Sequence, residues 1–394
     1  MPTVLAVVGA RPNFVKMAPV TAALSEREGI EVRLLHTGQH YDRALSDGFI
    51  ERLGMPRPDA NLGVGSGSHA AQTAGVLAGV EADLQANPAD LVLVAGDVNS
   101  TLAAALAAVK VHVPVAHIES GLRSRDWTMP EEVNRIVTDR VSELLLCTSA
   151  DAVANLGGEG ISDGVELVGN TMIDSLLRIL DDTDRAAALE AAGVEPRAFV
   201  LVTLHRPALV DHRERLAAVL EVLGEVSERA PVIFPAHPRT VHHIEEWGLS
   251  VPPLVRLAPP MDYAEFIALE AEARLVITDS GGLQEETSAL GVPCLTYRDS
   301  TERPVTIEMG TNRLVGVDPE RLRTAAREAL AAELPEDPPR IPLWDGQAGP
   351  RAASAVAALL GRQDRAQSPY RAHVPGRRPS AGRRRPGQPR KLRA

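Results

Sequence analysis

The chain has 394 residues, is 44% hydrophobic and 24% charged, and carries a formal net charge of −11, ordinary values for a globular protein with room for two domains of roughly 150–200 residues. The charge is uneven: from Arg362 to Ala394 ten Arg and one Lys face a single Asp, a balance of +10, which leaves −21 on the remainder. An acidic body excludes a general nucleic-acid binder, and no stretch nears the roughly 20 apolar residues needed to span a bilayer.

The N-terminus, MPTVLAVVGARP, lacks a basic n-region and its apolar run is too short for a signal peptide. Cys147 and Cys294 are far apart in apolar, strand-like surroundings, which predicts free buried thiols in a reducing compartment. Both observations point to the cytoplasm. Along the chain, TVLAVV, VRLLHT, LVLVAG, VPVAHI and ELLLCT read as strands, with helical segments such as APVTAALSER and TLAAALAAVKV between them. Short apolar strands alternating with helices predict a parallel sheet covered on both faces. The pattern begins again with FVLVTL, VIFPAH, VRLAP, LVITDS and CLTYRD, with helices at RERLAAVLEVLGEV and QEETSALG. The expectation is α/β, two doubly wound Rossmann-like domains facing a cleft, with the boundary near VGNTMIDSLLRILDD. The predicted domains are 1–170, 171–361 with a last helix able to pack back on the first, and a disordered basic tail over 362–394. Functional residues in such sheets follow the strands, at their carboxyl ends.

Several do. The first strand runs into Gly9-Ala10-Arg11-Pro12-Asn13-Phe14-Val15-Lys16, a glycine turn and helix start bearing two cations. Such a turn can form an anion site, but alone it is a weak signal, since Arg and Lys near a helix start are more often solvated. It is neither a Walker loop nor a G-x-G-x-x-G fingerprint, so no NAD is implied. Asp97 follows the strand LVLVAG, where it fits either a helix N-cap or a catalytic carboxylate. His117, Glu119 and Arg123 follow, then Glu131, Glu132 and Arg135. Asp97, Glu119 and Glu131 would converge on one rim, as acids and bases or as ion-pair partners of Arg123 and Arg135. In the second half His205 and Arg206, then His237 and Arg239, stand directly after strands. His237, His242 and His243 form no metal set, because no carboxylate or Cys completes the ligands. The strongest local motif is Thr278-Asp279-Ser280-Gly281-Gly282-Leu283-Gln284-Glu285-Glu286. Its bare backbone N–H groups at a helix start suit a diphosphate, with Glu286 reaching ribose hydroxyls. Arg298 and Thr301-Glu302-Arg303-Pro304 add charge to the same rim.

With these residues in hand, the sequence resembles the non-hydrolysing UDP-N-acetylglucosamine 2-epimerases, a family of GT-B architecture. GARPNFVKMAPV, TGQHYD, GDVNST, HIESGLRS, MPEEVNR, VGNTMIDSL, TLHRP, HPRT, TDSGGLQEE, TERP and WDGQA match in order, from residue 3 to about residue 360. The resemblance implies loss of the C2 proton with departure of UDP, then re-addition from 2-acetamidoglucal, with no cofactor or metal and in a homodimer. Carried over by motif, Asp97, Glu119, Glu131 and His205 are catalytic. Arg11 and Lys16 from the first domain, and Phe266, Ser280, Gly281, Gly282, Glu286 and Arg303 from the second, bind UDP-N-acetylglucosamine. Two departures stand out. Met261 replaces a Gln near the uracil, and the HRRE and QHRQ-like elements of substrate-activated members read HRPA and QHYD here. Gln39, His40, His205 and Arg206 remain, but Asp42 and Ala208 do not fit substrate activation. Alternatives are a 2,3-diacetamido uronic acid as the sugar, a hydrolysing epimerase, a GT-B glycosyltransferase, or a non-catalytic binder. Three crowded carboxylates weigh against the last, because buried like charges are costly without a use.

Overall fold

The computed structural model describes residues 1–38, 50 and 52–365. Gln39, His40 and Asp42, and the tail from residue 366 onward, lie outside the described residues. The first sheet comprises β1 (Thr3–Val8), β2 (Glu31–His36), β3 (Ala60–Asn61), β4 (Leu91–Ala95), β5 (Val115–Ser120), β6 (Leu144–Cys147) and β7 (Val165–Leu167). Its order is β3-β2-β1-β4-β5-β6-β7. The second comprises β8 (Val200–Thr203), β9 (Val232–Pro235), β10 (Val255–Ala258), β11 (Leu275–Thr278), β12 (Cys294–Thr296) and β13 (Asn312–Leu314), ordered β10-β9-β8-β11-β12-β13. Every pairing is parallel. The ten predicted strands are present; β3, β7 and β13 are additions of two or three residues.

Burial explains the unbroken apolar runs. Every residue of β4 has no exposed surface, and Val4, Leu5 and Ala6 of β1 are equally covered, because helices pack on both faces of each sheet. Each Val or Leu so placed stabilises the fold by roughly 1.5–3 kcal/mol. Cys147 and Cys294 are both buried and unpaired. Among the described residues no helix is long and apolar enough to cross a membrane.

Both sheets reverse their winding at one place, between β1 and β4 and between β8 and β11. A doubly wound sheet opens a crevice at such a point, just beyond the strand ends. The two crevices face each other. Helix Thr171–Asp181 leads from one domain to the other, and its Ile173, Leu176 and Ile179 join a core that includes Ile267 and Val305 of the second domain. Ser175 Oγ donates to the carbonyl of Val15, 2.6 Å away.

The chain then returns. Helix Ala348–Arg365 packs on helix Arg11–Ser25 and buries Ala352, Ala353, Val356, Leu359 and Leu360. It runs to Arg365, past the domain end expected at 361, because the helical apolar pattern ends before the helix does. Asp174 accepts the N–H groups of Ala348 at 3.1 Å and Gly349 at 2.7 Å, capping the returning helix. Gly349 lies so close to Pro19 that a Cβ would meet its carbonyl oxygen at 2.7 Å. Gly349→Val should therefore force the two helices apart and lower stability by roughly 1–3 kcal/mol, read from the urea midpoint. An unchanged midpoint would mean the helix docks less closely than described.

Candidate active site

A cavity of about 970 Å³ fills the cleft, the size of a site for a nucleotide-sized ligand. Eleven of the twelve candidate residues line it: Arg11, Lys16, Asp97, Glu131, His205, Phe266, Ser280, Gly281, Gly282, Glu286 and Arg303. Glu119 lies just beneath the wall, 6% exposed. Met261 and Ala208, the two departures from the family pattern that fall on described residues, also line the cavity, as does Arg206.

The local structure shows how a few residues set this arrangement. Asn13 accepts the N–H groups of Gly9 and Ala10, each at 3.1 Å, and donates to the carbonyl of Ala95 at 2.7 Å. One buried amide thus ties the turn after β1 to the end of β4, placing Arg11 and Lys16 opposite Asp97. Gly96 has φ +65°, and a Cβ there would lie 3.0 Å from Lys16 Nζ. Only glycine lets the loop turn and the cation approach together. Glu119 sits at φ +68° where the register of β5 on β6 shifts. A non-glycine residue in this region is held there by its surroundings and re-aimed by the bulge. Its carboxylate meets Lys16 on one oxygen and Arg303 Nη2 at 2.9 Å on the other.

Arg303 is the hub. Its Nε is 2.7 Å from Glu285, its Nη1 meets Glu302, and Glu302 also binds Arg298 at 2.9 Å. Because Glu119 belongs to the first sheet and Glu285 to the second domain, this guanidinium joins the domains at the cavity floor. Burial works against ionisation of Glu302, but Arg303 and Arg298 hold it far below the usual carboxylate range. Glu285 goes the other way. Burial and the nearby charge of Glu119 push it up to about 7, against the pull of Arg303 and Lys16. A carboxyl whose folded pKa is raised contributes stability below its unfolded value, and that stability is lost as pH rises through the folded one. The stability of Glu285→Gln relative to wild type should therefore improve as pH rises from about 5 to about 8. A pH-independent difference in urea unfolding would count against this reading.

Asp97 is paired with Arg135 at 2.5 Å. Its burial opposes ionisation, but Arg135, Lys16 and Arg303 outweigh that and keep its pKa lowered. Glu131, one of the three expected carboxylates, is not the ion-pair partner of Arg135. That is the adjacent Glu132, 1% exposed, which contacts Arg135 at 2.5 Å and accepts the N–H groups of Ser124 and Arg125. Glu131 is left facing the cavity with no ion pair among the described residues. His117 is wholly buried between Asp139 and the carbonyl of Gly96, and Arg123 pairs with Asp139 and Glu159. Neither lines the cavity.

On the opposite wall His205 Nδ1 lies 3.0 Å from Asp279, whose carboxylate also accepts the N–H groups of His205 and Arg206. This leaves Nε2 of His205 free to face a ligand. Helix Gly281–Leu290 starts beside it, and its first N–H groups have no acceptor within the helix. A Cβ on Gly281 would come within 2.8 Å of both Arg303 and Glu302, so the glycine keeps these amides and the guanidinium adjacent. Helix-start amides and five cations (Arg11, Lys16, Arg135, Arg206 and Arg303) on one cavity suit a diphosphate. Tyr263, which the sequence reading passes over, donates to Glu286 at 2.6 Å and lies under Arg11, 5.3 Å from ring centre to guanidinium. The histidine cluster is also different from expectation: Glu246 joins His242 and His243 one turn on. The three sit outside the cavity, and His237, which lines it, is not among them.

The model of the UDP-N-acetylglucosamine 2-epimerase family matches residues 22–357. A UDP-N-acetylglucosamine 2-epimerase of Methanococcus maripaludis is 39% identical over 353 residues, 87% of this chain and 95% of the relative. A UDP-2,3-diacetamido-2,3-dideoxy-D-glucuronate 2-epimerase of Pseudomonas aeruginosa is 40% identical over 360 residues, 90% of this chain and 99% of the relative. The crystal structure of the Methanocaldococcus jannaschii UDP-GlcNAc 2-epimerase in complex with UDP-GlcNAc and UDP superposes with a TM-score of 0.82 at 38% identity, covering 90% of this chain and 99% of that one. The chain belongs to the UDP-N-acetylglucosamine 2-epimerase family, and its two parallel-sheet domains have the GT-B arrangement.

Proposed function

We propose that this chain interconverts UDP-N-acetylglucosamine and UDP-N-acetylmannosamine. The observation that carries the reading is the pairing of two walls. One offers carboxylates from the first sheet, and the other offers a helix start and cations for a diphosphate. A carboxylate of the first wall takes the proton from C2. The C–H electrons become a C1–C2 double bond, and the C1–oxygen pair departs with UDP. Helix-start amides at Gly281 and Gly282, with Arg303, receive the negative charge that develops on the β-phosphate. UDP then adds back to C1 while an acid delivers a proton to the other face of C2. Asp97, Glu119 and Glu131 are the acid and base candidates, and His205, oriented by Asp279, serves the leaving diphosphate. No hydride moves, so no nicotinamide is required. We place the enzyme in the cytoplasm as a homodimer.

A second sugar competes. The Pseudomonas aeruginosa relative, named for a diacetamido glucuronate, is as similar to this chain as the relatives named for UDP-N-acetylglucosamine. Purified protein incubated with UDP-N-acetylglucosamine in deuterium oxide, without added nicotinamide, should form the manno epimer with deuterium at C2. An oxygen label in the C1–O–P bridge should scramble into the non-bridging β-phosphate positions. Retention of protium at C2 and of the oxygen label in the bridge would rule out elimination and re-addition, and faster turnover of the diacetamido uronate would transfer the assignment to that sugar.

A further inference from the structure

Glu270 lies on helix Tyr263–Glu272 with no exposed surface, against Glu286 on helix Gly281–Leu290, which is 4% exposed. The two carboxyl groups are within hydrogen-bond reach of each other. Neither oxygen of Glu270 receives an N–H or O–H from any described residue. Glu286 is better served: Tyr263 donates to it at 2.6 Å, and Arg11 acts on it across the cleft.

Two carboxylates in dry contact cannot both be charged. An ionised Glu270 would be a buried anion with no donor, among the costliest arrangements a protein interior can hold. One proton must therefore lie between them. The donors gathered on Glu286 draw the negative charge there and leave the proton on Glu270. We propose that Glu270 is kept as a neutral carboxylic acid that donates to Glu286 and so sets this carboxylate to accept the ribose hydroxyls of the nucleotide. The role is one of positioning, and it rests on the reading of Glu286 as the ribose-binding residue.

The surroundings agree. Burial first, then the charge of Glu286, hold the Glu270 carboxyl well above its usual range. Burial also leaves the Glu286 carboxyl raised, but Tyr263, Arg11 and the Glu270 hydrogen bond offset part of that. Around the pair, the Tyr263 hydroxyl is held well above its usual value, and burial pushes Cys294 on β12 up to about 12. Both remain protonated, and among the described residues Arg11 is the cation that acts on the pair. With Tyr263 and Glu270 occupying fixed lone pairs, those left on Glu286 have set directions. A vicinal diol, with two donors at fixed spacing, is matched by such an acceptor better than by a rotating carboxylate.

The test uses UDP and 2′-deoxy-UDP, titrated by calorimetry into wild type and the variants Glu286→Gln, Glu270→Gln and Glu270→Leu. Wild type should prefer UDP, and Glu286→Gln should lose that preference. Glu270→Gln, whose amide still donates, should keep it. Glu270→Leu, which fills the space without a donor, should bind UDP about tenfold more weakly and discriminate less. A second readout does not depend on the Leu variant folding. The infrared difference between wild type and Glu270→Gln at neutral pH should show loss of the carbonyl stretch of a protonated carboxylic acid. If Glu286→Gln keeps the wild-type preference, the ribose reading falls and the positioning role with it. If that variant loses the preference while Glu270→Leu retains it, Glu286 binds ribose without help and the proposal alone is overturned. A difference spectrum showing a lost carboxylate would also overturn it.

Discussion

Arg303→Leu should destabilise the protein by about 3–5 kcal/mol at pH 8, more than the loss of any single contact to a nucleotide. The guanidinium serves Glu119, Glu285 and Glu302 through three different nitrogens. Removing it leaves three carboxyl groups buried around a space that held a cation, and the cost of such orphans exceeds the net value of the pairs themselves. Arg303→Lys should rescue little, because one ammonium cannot replace a planar fork with three directions. The deficit should shrink toward pH 5. Without the guanidinium, the carboxyl groups left buried together can take up protons on the way to pH 5, whereas the stability that Glu302 draws from its depressed pKa is lost only below its unfolded value. Urea unfolding at the two pH values tests this. A variant within about 1 kcal/mol of wild type at pH 8 would reduce the network to the class of surface pairs.

The second large effect separates two neighbours. Glu131→Gln should lower kcat by about 10²–10⁴-fold with stability unchanged, since positioned acids and bases contribute that much and this side chain has no ion pair to lose among the described residues. Glu132→Gln should do the reverse, weakening the fold through its buried contacts to Arg135, Ser124 and Arg125 and leaving the chemical step largely intact. His205→Ala should resemble the Glu131 variant in turnover, whereas Asp97→Asn should lower both turnover and stability, because its carboxylate is paired with Arg135. Glu119→Gln should lower both turnover and stability, because the same carboxylate faces Lys16 and Arg303. Stopped assays of UDP-N-acetylmannosamine formation, paired with melting curves, read both quantities. Near wild-type turnover in Glu131→Gln would remove that residue from the acid–base set.

The pair also shows where sequence reading reaches its limit. The long apolar strands were legible because burial on both faces leaves an uninterrupted run. β3, β7 and β13 were not, because two or three residues at a sheet edge leave no period. Strand ends could be located, so the residues following them could be gathered on one cavity. Ion-pair partners could not, because adjacent residues on a helix point about 100° apart and the letters do not say which faces inward. Glu131 and Glu132 divide in this way, as do Glu285, which turns to Arg303, and Glu286, which turns to Tyr263. Spacing offered one missed clue: Glu132 stands three residues before Arg135, the helical distance for a pair. Glu270 offered none, being one acid in an apolar helix with its partner on another.

The chain passes between the domains twice, once at helix Thr171–Asp181 and again before helix Ala348–Arg365, and Asp174 staples the two crossings side by side. A body held by one thread can swivel, tilt and drift; a body held by two adjacent ones behaves like a door. Two adjacent passages of the chain oppose twisting about the long axis and sliding along the rim more than they oppose a hinge motion. Such a mounting favours one register of the two walls, so that a sugar freed from its diphosphate for an instant would meet the same carboxylates on the way back.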